Sequence, residues 1–131
     1  MGADKLVRDK IPDIIRASGE VPSIRIVVGT EEYQRLLFAK LSEEVLEFIA
    51  SNGDPMELAD VLEVVMALAD DLGIGQQELE TLRAKKAAER GGFAAGIVWS
   101  GNLPAGSAAP SENVRPATLE TVGYRGLMSS I

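Results

Sequence analysis

Residues 41–82 hold eleven acids and no lysine or arginine. The whole chain has 13 basic and 20 acidic residues, so this block carries −11 and everything outside it +4. A run of acids this dense either faces water or holds cations. It also restricts the fold, because no local counter-charge is available along the run itself.

The block is patterned for helices. Leu37, Leu41, Val45, Phe48 and Ile49 recur at helical spacing, and the pattern predicts a helix over residues 31–50. Thr30 is the expected N-cap, with Glu31 and Glu32 in the favourable first turn. Ser51, Asn52 and Gly53 break it. Asp54 and Pro55 restart a helix over residues 55–72, as N-cap and N1. That helix carries a broad apolar stripe (Leu58, Val61, Leu62, Val65, Leu68, Ala69, Leu72), widened by Val64 and Met66. A helix so apolar is expected to be covered on more than one side. A fourth helix is expected over residues 76–90.

Ahead of the block, Asp9 is the expected cap of a short helix ending near Ser18, with Gly19 as its stop. Ile24, Ile26 and Val28 alternate, which predicts a short strand or an extended piece, and residues 93–99 are also read as extended. From Ser100 onward proline, glycine, serine and alanine dominate. Residues 100–131 are expected to be a mobile tail or a loosely docked extension, with Tyr124, Leu127 and Met128 as docking side chains. The expectation is therefore an all-α bundle of about four helices over residues 1–99, plus an irregular tail.

Composition removes many chemistries. There is no cysteine and no histidine, which excludes thiolate catalysis, the usual zinc sites and a Ser-His triad. Zero cysteine fits a reducing cytoplasm. A net charge of −7 argues against a nucleic-acid or anionic-membrane surface. No stretch is long and apolar enough to span a membrane, and the first residues lack an apolar leader. Carboxylate, lysine, arginine and an oxygen-bound hard metal remain.

Glu44 and Glu47 are one helical turn apart, and so are Glu57 and Asp60 on the next helix. The short link between the helices favours an antiparallel hairpin, which brings the two pairs to one level. Four converging carboxylates repel one another and raise one another's pKa. Mg²⁺ or Mn²⁺ would reverse that, and would let acids hold a phosphate through the metal. The plainer reading is a solvated face, with Glu43 and Glu47 near Lys40 and Glu57 serving the helix start. Lys5, Arg8, Lys10 and Lys40, with Lys86 and Arg90 near the other end, are candidate phosphate contacts. Lys86 and Arg90 also suit a helix C-terminus without any ligand.

Glu44-x-x-Glu47 followed by Glu57-x-x-Asp60 resembles the MazG-like all-α nucleoside triphosphate pyrophosphohydrolases. KLVRDKIP (residues 5–12) and KAAERGGF (residues 86–93) are similar to the ends of the phosphoribosyl-ATP pyrophosphohydrolase-like branch. The resemblance covers residues 5–99. It implies a homodimer or homotetramer that binds Mg²⁺ through Glu44, Glu47, Glu57 and Asp60. The implied reaction converts NTP and water to NMP and pyrophosphate. Glu43 and Glu44 are the implied catalytic acids, Glu43 acting on the attacking water, with Glu63 as an outer ligand. The link between the acid pairs is shorter than in many members, and the asparagine and tyrosine contacts of some members have no assigned counterpart. The rival readings are phosphoribosyl-ATP hydrolysis, a nucleotide sensor that does not cleave, and a non-catalytic helical dimerisation module.

Overall fold

The structure, a computed structural model, describes residues 4–108. The fold is all-α: four helices and, among the described residues, no strand. They are α1 (Ile11–Ala17), α2 (Glu31–Ala50), α3 (Pro55–Asp71) and α4 (Gly75–Arg90). The expected docking residues Tyr124, Leu127 and Met128 lie outside the described residues.

The two central helices start as their sequences dictate. The Thr30 hydroxyl accepts from the Tyr33 backbone N–H at 3.2 Å. The Asp54 carboxylate accepts from that of Met56 at 2.9 Å, with Pro55 in the first turn. Each cap satisfies one of the backbone donors that a helix start leaves without a partner. Between the helices Asn52 adopts φ 61° and Gly53 φ 95°. This left-handed pair reverses the chain in very few residues, a conformation that asparagine and glycine tolerate best. Helices α2 and α3 consequently pack against each other as a hairpin.

One local expectation is corrected and another is narrowed. Asp9 does not cap α1: the N-cap is Lys10, with no side-chain cap bond, and its carbonyl accepts from Ile14 N–H at 3.1 Å. Ile11 N–H donates to the Arg8 carbonyl at 3.0 Å, a turn that precedes the helix, so the first helical bond falls on the Lys10 carbonyl, one residue later than a cap at Asp9 requires. Of the two readings of residues 23–28, a short strand or an extended piece, the strand does not form: no other strand lies among the described residues to pair with it. Residues 93–108 are likewise irregular, with a turn closed by Gly96 N–H on the Phe93 carbonyl at 3.1 Å.

The chain divides into two compact units, Met1–Lys85 and Lys86–Ile131. In the first, the buried apolar side chains are Leu37, Val64 and Ala69. Much of the predicted α3 stripe is uncovered: Leu58, Leu62 and Leu72 are each more than half exposed. On α2, Phe38, Val45 and Ile49 are exposed too. No helix among the described residues is long and apolar enough to cross a membrane.

Candidate metal centre and cleft

The α2–α3 hairpin brings acids from both predicted pairs together. One carboxylate oxygen each from Glu44, Glu57 and Asp60 lies within 4.8 Å of the others. Glu44 sits in the middle of α2 on its inner face and is 8% exposed. Glu57 and Asp60 are half-buried on the first two turns of α3. Glu47, one turn after Glu44, is exposed and stands beside this set without belonging to it.

Acids on helix faces are commonly just solvated. Here, Glu44 Oε2 and Glu57 Oε2 are sealed from solvent and accept no hydrogen bond. A carboxylate oxygen buried in that way costs free energy unless something supplies positive charge to it. The donor set is all hard oxygen, which suits Mg²⁺ or Mn²⁺. Ligands on opposite sides of Mg²⁺ stand about 4.2 Å apart, twice the ~2.1 Å bond length. A side-chain adjustment of under ~1 Å therefore fits the three acids around one ion.

Counter-charge reaches the cluster from outside the acidic run. Arg8 Nη2 donates to Asp60 Oδ1 at 2.6 Å. Lys40 Nζ lies 3.5 Å from Glu44 Oε1 and 3.4 Å from Glu43 Oε2. Neither cation touches the two orphaned oxygens. The remaining repulsion registers in the acids themselves. Glu44, more than any other group, holds the Glu47 carboxyl above its ordinary value of 4.5; desolvation and the charges of Glu43 and Glu57 add to this. Glu57 is raised first by desolvation, then by Asp60, Glu44 and Asp54.

These shifts fix a pH dependence. A carboxyl whose pKa is raised by folding binds its proton more tightly in the folded state. Its contribution is favourable below 4.5 and is lost as pH rises through the raised value. Glu32 and Glu80 are lowered by their bonds to Arg25 and Arg83, so their contribution is lost only below 4.5. The metal-free protein is therefore expected to melt higher as pH falls from neutral towards the ordinary carboxylate range. Any stabilisation by added Mg²⁺ is expected to shrink over the same range. Thermal melts with EDTA and with Mg²⁺ across that range check both; a metal-free melting temperature that falls from pH 7 to 5 would contradict the electrostatic account.

Beside the acids lies a cleft of about 590 Å³. Its walls are the segment before α1, α1 itself, and the facing sides of α2 and α3. Arg8, Lys10 and Lys40, with the acids Asp9, Glu44, Asp60, Glu63 and Asp70, supply its charged lining, while Leu6, Ile11, Ile14, Leu37 and Val64 supply apolar surface. Of the residues singled out in the sequence, Lys5, Glu43, Glu47 and Glu57 are not in this lining; Glu43 is turned towards Lys40. Lys86 and Arg90 are on the last turns of α4, in the second unit.

Among the cleft residues without a role in the sequence reading are Tyr33, Asp70 and Gln76. A signal existed for Asp70. Asp60, Glu63, Ala67 and Asp70 are spaced three or four apart, so they form one stripe on α3. For Tyr33 and Gln76, at the starts of two different helices, no local pattern marks a shared wall.

Over 48 residues the chain is 52% identical to an uncharacterized protein of Mycolicibacterium smegmatis, a match covering 37% of this chain and 48% of that protein. The chain thus spans about half the length of the relative it matches. No family model matches the chain, and no solved structure matches it.

Proposed function

We propose that this chain is a divalent-cation-dependent nucleoside triphosphate pyrophosphohydrolase of the MazG-like kind, acting in the cytoplasm. One observation carries the reading: Glu44 Oε2, buried and without a partner, in a three-acid set with Glu57 and Asp60. The order of the two acid pairs supports it, and so do Arg8, Lys10 and Lys40 in the lining of the cleft beside them.

In this reading Glu44, Glu57 and Asp60 hold Mg²⁺ or Mn²⁺, with Glu47 adjacent. The bound ion neutralises phosphate charge and lowers the pKa of a water. Lys40 and Lys10 offer their ammonium groups to the triphosphate within the cleft. Leu37, Val64 and Ile11 offer apolar surface to the rest of the nucleotide and exclude water there. Glu43, held by Lys40 at 3.4 Å, is the candidate for orienting the attacking water or taking its proton. A house-cleaning role against non-standard nucleotides fits the same chemistry.

Assembly into a homodimer or higher belongs to the proposal. On α2 and α3, helical spacing puts Phe38, Val45, Ile49, Leu58 and Leu62 on the side of the hairpin away from the cleft, and all are exposed. A second copy would bury them.

The test is pyrophosphate release from a panel of canonical, deaminated and oxidised triphosphates, with and without Mg²⁺. Mg²⁺-dependent release from at least one of them is expected. A fully active Glu47→Gln/Asp60→Asn double variant would remove the assigned site.

A further inference from the structure

The segment before α1 has no regular structure, yet it is tied down at two points. At one end Asp4 Oδ2 accepts from Arg25 Nη1 at 2.7 Å, and Arg25 Nη2 also bonds Glu32 Oε2 at 2.6 Å. At the other end Arg8 bonds Asp60, 52 positions further along the chain. Between these ties Leu6 and Val7 line the cleft. The segment is thus a strap along one cleft wall. Its two ties differ in kind: the Arg25 tie uses acids remote from the metal set, whereas the Arg8 tie uses Asp60, a member of it.

Arg8 and a divalent ion are both positive, and both draw on the charge of one carboxylate. They repel each other across it. The ion has two further acids, including the orphaned oxygens of Glu44 and Glu57, and Arg8 has none. The Arg8–Asp60 pair is also open to water: its side chains are 58% and 37% exposed. An ion pair so exposed is weak, and the guanidinium loses little by returning to solvent.

We propose that Arg8 is the resident counter-ion of Asp60, and that a divalent cation entering the three-acid set displaces it. Displacement unpins one end of the strap while the Asp4–Arg25–Glu32 tie holds the other. It also leaves a free guanidinium at the mouth of the cleft, where an anion arriving after the metal meets it. Cation and anion then load in that order. This proposal rests on the metal reading above.

The test is calorimetric titration of the full chain with MnCl₂, without nucleotide, for wild type, Arg8→Gln and Asp60→Asn. Removing the competitor in Arg8→Gln is expected to tighten Mn²⁺ binding about two- to fivefold, the range an exposed ion pair supplies. Asp60→Asn should bind more weakly. Limited trypsin digestion gives a second readout: Mn²⁺ should speed cleavage after Arg8 and Lys10 in wild type. Helical circular dichroism verifies that the variants fold. Weaker Mn²⁺ binding by Arg8→Gln would overturn the proposal and make Arg8 a positioning residue for Asp60. Unchanged binding with an unchanged digestion rate would overturn it too, leaving the metal site intact. If neither wild type nor Arg8→Gln takes up Mn²⁺, the metal reading itself has failed.

Discussion

Glu44→Gln is expected to lower nucleotide turnover by about 100-fold or more while raising the melting temperature of the metal-free protein. The two effects have one origin. Even residues that only orient a metal ligand cost roughly 10–100-fold when lost, and Glu44 is the most buried acid of the set. Its neutral amide cannot replace a charged ligand oxygen. Without metal, however, the same substitution removes a buried oxygen that has no partner. It also relieves Glu47, whose strongest perturbation comes from Glu44. Lys40 is not stranded, because Glu43 Oε2 remains 3.4 Å away. Steady-state pyrophosphate release and a melt in EDTA, on one preparation, measure both. An active variant, or an inactive one that melts lower without metal, would mean that Glu44 serves packing rather than a cation.

The second large effect is expected at the face away from the cleft. Leu62→Glu combined with Phe38→Glu should convert an assembly of at least twice 13.9 kDa into single chains. Both side chains are about half exposed in the isolated chain, so neither substitution disturbs an intramolecular core. In an assembly each would place a charge in an apolar contact, where it has no counter-ion. Sedimentation or light scattering of wild type and variant at equal concentration decides it. A wild type that is already monomeric would leave this face uncovered and remove the assembly proposal. The cleft is walled by one chain, so activity per chain offers an independent readout of whether the partner matters.

How much of this was legible beforehand depended on how local the cause was. Helices α2 and α3 could be read because their starts are written within a few residues: Thr30 with Tyr33, and Asp54 with Pro55 and Met56. The Glu44–Glu57–Asp60 set could be read because both halves ride on one short hairpin. The start of α1 was misplaced by one residue, since a backbone carbonyl at Lys10, not the side chain of Asp9, accepts its first bond. Arg8 was recognisable as a cation near a ligand but not as the partner of Asp60, because nothing in a linear pattern joins positions 52 apart. Periodicity showed that α3 is apolar on a wide arc. It did not show that Val64 and Ala69 would be buried in the single chain while Leu58, Leu62 and Leu72 stay open.

The link at Ser51–Asp54 has one more consequence, for the order of events as the chain collapses. Ser51 Oγ accepts from Asp54 N–H at 3.0 Å across the turn, and Asn52 and Gly53 complete it. Pairing across so short a loop closes early, because little chain entropy is lost in making it. If that hairpin closes first, the acids meet early, and their repulsion would bear on the speed of folding as well as on the finished state. A divalent ion bound by the nascent hairpin would act on that barrier, making the cofactor of the proposed reaction an accelerator of the chain's own maturation.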